Sequence, residues 1–179
     1  SGFMGTDTPA VIDTPPTCTV AGVHTDIGTY PIVCSGGADN NYTFSYISGT
    51  LTVAKRTLIV TPADKIKLYG SVFSAFTGSI SGIQYGDNIT ATYTSLGAPA
   101  TAIVGTYDIN ATLVDPDGKL ANYNVVYNIG TLTVDPRTLV VSPNNQTKIY
   151  GDIFSAYTAT INGLQNADTV IVNYTSAGE

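Results

Sequence analysis

The chain is short of almost everything that reactive sites are built from. Its 179 residues include one His, one Met, one Glu and no Trp. Charged residues make up 11%, against roughly 25% in an ordinary soluble domain. Seven are Lys or Arg and 13 are Asp or Glu, for a net charge of −6 and a pI near 4.4. Nucleic-acid binding needs clustered basic side chains that displace counterions, so this balance argues against it. It argues equally against an anionic membrane surface. No apolar run approaches the roughly 18 residues of a membrane helix, so no insertion of this segment is expected. Ser1-Gly2-Phe3-Met4-Gly5 has neither the basic start nor the apolar stretch of a secretory leader. An export signal or wall anchor is therefore expected outside this segment.

The same scarcities bear on catalysis. A Ser-His-Asp arrangement needs a positioned imidazole with an orienting acid. His24 is the sole candidate; Asp26 lies two residues on, on the same face of a strand, but no nucleophile elbow occurs. His24 reads as an exposed turn residue. Paired carboxylates for glycoside hydrolysis are not supplied, because the only Glu is Glu179 and the Asp residues cluster in turns. Two cysteines and one His are too few for a closed four-ligand zinc site. Asp115-Pro116-Asp117-Gly118 lacks the further oxygen ligands and the closing Glu of a calcium loop, and reads as a β-turn. Asp87 and Asp168 read as turn caps. No catalytic residue, cofactor or metal ligand is expected, and the chain is not expected to be an enzyme.

Against these gaps stands a plentiful supply of hydrophobic residues, at 43%, with 18 Gly and 12 Tyr. That is enough to bury a core, with Thr, Ser and Asn left to supply the polar surface. It is organised as a repeat. Arg56-Thr57-Leu58 returns as Arg137-Thr138-Leu139, a spacing of 81 residues. Lys67-x-Tyr69-Gly70 returns as Lys148-x-Tyr150-Gly151, and Phe73-Ser74-Ala75 as Phe154-Ser155-Ala156. Aligned without gaps, 56–97 and 137–178 are identical at 20 of 42 positions. The N-terminal third carries the other half of the pattern. Asn41-Tyr42 returns as Asn122-Tyr123, and Gly49-Thr50-Leu51-Thr52-Val53 as Gly130-Thr131-Leu132-Thr133-Val134. Gly28-Thr29-Tyr30 returns as Gly105-Thr106-Tyr107, only 77 residues on. Four extra residues therefore enter the middle copy, most simply at the Asp115–Gly118 turn.

The local pattern is β throughout. Segments such as Thr57–Thr61, Ile89–Thr94 and Tyr123–Tyr127 are rich in β-branched and aromatic residues, and Gly- and Asn-containing turns punctuate them. No stretch sustains a period of 3.6. The expected fold is all-β, a tandem array of Ig-like β-sandwich repeats of about 81 residues; β-grasp-like units with one short helix are the alternative. The expected organisation is a Thr/Pro-rich linker or cut end (1–17), the C-terminal half of a repeat (18–55), a complete repeat (56–136) and the N-terminal half of a repeat (137–179). Self-similarity gives a period rather than a starting point, so two whole permuted units, 18–97 and 98–179, remain the alternative. The leading and trailing halves complement each other, so head-to-tail association between chains is a further expectation.

The ordered motifs Lys-x-Tyr-Gly, Gly-Thr-Tyr-(Pro/Asp)-Ile, Asn-Tyr and Gly-Thr-Leu-Thr-Val resemble the MBG domain (YGX type). The resemblance covers roughly 18–179. It implies an all-β repeat from a large bacterial surface or secreted protein, with neighbouring repeats of the same polypeptide as its first partners. It carries no catalytic residues. The implied role is a structural, stalk-like segment of an adhesin or extracellular fibre; a glycan- or protein-binding module is the second reading. Asp26-Ile27-Gly28-Thr29-Tyr30 has the form of a tyrosine corner, which the middle copy departs from with Ile103 at the Asp position. Cys18 and Cys34 have Ser95 and Ala111 as counterparts. In an extracellular setting a Cys18–Cys34 disulfide is expected, worth about 3 kcal/mol in the chain-entropy model. Lys67 and Lys148 recur in phase and raise the question of a Lys–Asn isopeptide bond. Five tyrosine pairs recur in phase and read as shared packing. Tyr85 does not, being Asn166 in the next copy, and is the candidate ligand contact for a host or environmental glycan.

Overall fold

The computed structural model describes residues 2–177. It is almost wholly β. Twelve strands run in order: β1 Thr17–Val20, β2 Gly28–Ser35, β3 Gly49–Val53, β4 Arg56–Pro62, β5 Lys65–Leu68, β6 Gly78–Ser81, β7 Thr90–Thr94, β8 Gly105–Val114, β9 Tyr123–Tyr127, β10 Gly130–Asp135, β11 Val140–Pro143 and β12 Ala159–Asn162. The only helical elements among the described residues are two 3-10 turns, Pro9–Val11 and Lys119–Asn122. The β-grasp alternative is thereby overturned, since it requires a helix packed across the sheet.

Side-chain alternation builds the strands. In β4, Leu58, Val60 and Pro62 point inward while Thr57, Ile59 and Thr61 point out. The ten residues of β8 alternate in the same way around a buried Ile109. The middle copy holds two sheets, β5-β10-β8-β7 and β6-β4-β9. All the listed pairings are antiparallel except β5 with β10, which run parallel from Lys65↔Leu132 to Leu68↔Asp135. The buried core draws on both sheets: Leu58, Val60 and Tyr123 from one, Ile109, Leu132 and Val134 from the other, with Ile89 leading into β7. Each such aliphatic side chain stabilises by about 1.5–3 kcal/mol over its exposed state. The result is a small seven-stranded sandwich.

By spatial proximity the chain forms two compact units. One contains the residues up to Leu58 with Asp117–Asn124; the other contains Ile59–Pro116 with the residues from Val125 on. Strand pairing draws a different line, because every described ladder lies within 14–53, 56–135 or 140–162. The Asp117–Asn124 turn belongs to the middle copy by pairing, yet it is hydrogen-bonded to the Asp26–Ile27 corner, which is why proximity groups it with the N-terminal residues.

In the N-terminal copy, β1-β2-β3 form one antiparallel sheet. Residues 2–16 do not dangle from it. The Phe3 ring meets Tyr42 edge to face, Thr14 bridges to Ala38, and the Tyr42 hydroxyl donates to the Asp7 carboxylate (2.6 Å). That carboxylate raises the Tyr42 pKa. In the trailing copy only β11 and β12 form, as an antiparallel pair. The counterparts of β5 and β7, 146–149 and 171–175, are irregular. Their middle-copy equivalents pair with β10 and β8, and no such neighbours follow here. A strand without a neighbour has its N–H and C=O groups unpaired.

Candidate functional site

The tyrosine corner is present in both copies that contain it. The Tyr30 hydroxyl donates to the Asp26 carbonyl oxygen (2.8 Å), and the Tyr107 hydroxyl to the Ile103 carbonyl oxygen (2.9 Å). The acceptor is main chain, so Ile103 serves as well as Asp. The departure noted in the sequence is therefore no departure in structure. It also frees the Asp26 carboxylate for another task. Lys119 Nζ (2.9 Å) and Asn122 Nδ2 (2.7 Å) both donate to Asp26 Oδ1, and the Ile27 N–H donates to Asn122 Oδ1 (2.9 Å). Lys119, then Asn122, hold the Asp26 carboxyl below its ordinary pKa. Lys119 follows directly on the Asp115–Gly118 turn, so the segment peculiar to the middle copy is where it grips the copy before it.

A second junction lies between the middle and trailing copies. Here the Tyr69-Gly70 turn, hallmark of the repeat, becomes a contact surface. The Tyr69 N–H donates to the Asp135 carbonyl oxygen (2.9 Å), which holds the turn against the end of β10. Two residues on, Arg137 donates from Nε to the Tyr69 carbonyl oxygen (2.7 Å) and from Nη2 to Ser71 Oγ (2.8 Å). Gly70 has φ +81°, and a Cβ there would stand 2.3 Å from Gln165 Cγ, so glycine is required both by the turn and by the approach of the next copy. Gln165 is held in place by its own Nε2, which donates to the Leu164 carbonyl oxygen (2.8 Å). Asn166 Nδ2 reaches the Ala100 carbonyl oxygen (2.9 Å). Between these contacts lies a cavity of about 120 Å³ whose walls include Tyr69, Arg137, Leu139, Gln165, Asp168 and Val170.

Lys67 braces this platform from beneath. It is buried, and its ammonium donates to the carbonyl oxygens of Ser71 (2.9 Å), Ala98 (3.3 Å) and Pro99. Burial lowers its pKa. Three main-chain acceptors match the three protons of an ammonium group, which offsets the cost of taking the charge out of water. The printed partners of Lys67 are all main-chain carbonyls, so the geometry is that of a clamp and not of a Lys–Asn isopeptide bond. The clamp joins the loop after Tyr69-Gly70 to the loop that Asn166 touches.

The remaining sequence candidates are dispersed. Cys18 and Cys34 face each other across β1 and β2 and are joined in a disulfide, with Cα atoms 3.9 Å apart. His24 is exposed, with Nδ1 3.2 Å from the Gly22 carbonyl oxygen. Tyr85 sits 86% exposed at the tip of a turn, with φ +52°. Its counterpart Asn166 has the same φ of +52°. In both copies the Asp N–H closes the turn onto the Gln carbonyl, Asp87 to Gln84 (2.9 Å) and Asp168 to Gln165 (2.8 Å). Gly118 takes φ +68° in the Asp115–Gly118 turn. No group of three or more His, Cys, Asp or Glu able to hold a metal ion occurs among the described residues.

Sequence reasoning read the recurring Tyr-Gly turns as fold alone and missed their part in the junction. The signal was available in the shared phase of Arg56/Arg137, Tyr69/Tyr150 and Gln84/Gln165, which repeat together at 81 residues. A family model for the MBG domain (YGX type) matches 1–52, 58–133 and 139–179. The chain belongs to this family. MBG domains are repeat domains of surface proteins, and the three matched stretches lie in tandem. No curated protein and no solved structure matches the chain.

Proposed function

We propose that this MBG array is a non-catalytic spacer of a bacterial cell-surface adhesin or extracellular fibre, working outside the cell. The observation that carries the reading is the junction at Tyr69-Gly70. The linker between β10 and the Arg137 guanidinium is a single Asp135-Pro136 step, and the guanidinium bonds back onto the preceding copy. Gln165 and Asn166 add contacts on the same side. Such a joint resists bending, which a spacer needs and a catalyst does not. The disulfide supports an oxidising compartment. In this reading 56–136 is one complete mechanical unit.

The second reading is a glycan-binding module with Tyr85 as its contact. It rests on the ring's exposure at a turn tip, where an aromatic face could stack on a sugar. A glycan array probed with the whole chain separates the two. The spacer reading expects silence. Saturable binding that disappears in Tyr85→Ala would overturn it in favour of the second.

A further inference from the structure

We propose that the trailing copy is an open half-sandwich whose occupant is residues 28–53 of a second copy of this chain, joined head to tail. This goes beyond the spacer reading and does not rest on it.

The middle copy supplies the template. Its first half contributes β4, β5 and β6, and its second half contributes β8, β9 and β10. Residues 137–162 carry the counterparts of the first set, and 28–53 carry the counterparts of the second. Neither end has the other beside it in its own sheet. The role of β7 is already filled at the N-terminal end. There β1 pairs with β2 through Cys18↔Cys34, as β7 pairs with β8 through Tyr93↔Ala111. The incoming segment therefore needs only the strands that 137–162 can provide.

The receiving face shows what is missing. Leu58 and Val60 are 0% exposed under their second half, while their counterparts Leu139 and Val141 are 43% and 45% exposed. On the donating side β3 is an edge strand, and Ile47 nearby is 91% exposed. An apolar face beside an unpaired edge is a template for strand addition. The template also specifies register. Thr133 pairs in parallel with Ile66, so Thr52 of one chain should face Thr147 of the other. A slip of one residue would turn Leu51 and Val53 away from Leu139 and Val141.

The test uses the whole chain with its native disulfide. Sedimentation against concentration should show the mass rising to twice that of the chain or more. Val141→Asp should return it to monomer without shifting the melting transition of the middle repeat, because Val141 is exposed in the single chain. Independently, Thr52→Cys with Thr147→Cys should form an intermolecular ladder under mild oxidation. The pair shifted by two residues, Thr52→Cys with Asn145→Cys, should cross-link more slowly. A chain that stays monomeric at high concentration, equal cross-linking by the shifted pair, or a cross-link closed within one chain would each overturn the proposal.

Discussion

The middle and trailing copies contain the same residues in different circumstances. Leu58, Val60, Lys67 and Ile89 are buried in the middle copy; Leu139, Val141, Lys148 and Val170 are exposed in the trailing one. Tyr69 is half-buried beneath the next copy, whereas Tyr150 stands in open solvent. Equivalent sequence therefore yields a seven-stranded sandwich in one place and a single two-stranded ladder in the other. The strands that carry the core are supplied by both halves of the repeat. A half without its complement has the pattern for burial but nothing to be buried against.

The sharpest way to break this contrast is to truncate matched positions. Leu58→Ala removes a side chain from a closed core and should cost about 2–5 kcal/mol, while Leu139→Ala should cost under about 1 kcal/mol. Urea denaturation of both variants measures the difference, and equal losses would show that the trailing half is packed after all. Next in size is the disulfide of the N-terminal copy. Replacing Cys18 with Ser and Cys34 with Ala, the middle-copy residues, should destabilise that copy by about 3 kcal/mol. Amide exchange should report faster opening in β1 and β2 and no change in β8 or β10.

A smaller effect is expected at the junction. Arg137→Ala removes two charge-assisted hydrogen bonds from a half-exposed site, for about 1 kcal/mol. Hydrogen exchange should accelerate at Tyr69 and Ser71 while the β4 amides stay protected. The smallest concerns Asp26. Its folded pKa lies below the ordinary 3.8 because Lys119 and Asn122 bond its carboxylate. Its contribution is therefore present above pH 3.8 and lost as pH falls through the lower folded value. An NMR titration should find its midpoint below 3.8 in the native chain, and higher in Lys119→Ala.

How much could be read from residues alone differed from feature to feature. The Cys18–Cys34 pair was legible because both cysteines lie on strands of one hairpin-sized segment. The strands and their inward faces were legible because alternation is local. The tyrosine corner was only half legible. Asp26 drew attention to itself, but the acceptor is its carbonyl, which Ile103 provides equally. The junction was not legible. Gly70 and Gln165 are far apart along the chain, and nothing in either residue type announces that one packs on the other. Nor did Lys67 reveal its role, since a recurring lysine reads the same whether it is solvated or clamped by three carbonyls.

Sequence was sufficient for the period of the repeat, its all-β character and the poverty of catalytic groups. These follow from composition, spacing and side-chain alternation, which are properties of short stretches. It was insufficient for deciding which copy is closed, which turn meets the next copy and which carboxylate braces the seam. Those depend on atoms brought together across dozens of residues, where burial and hydrogen bonding arise only once the strands have paired. The scarcity of His, Glu and charge with which the chain begins thus leaves it one resource for specificity: the main-chain and amide contacts at its joints.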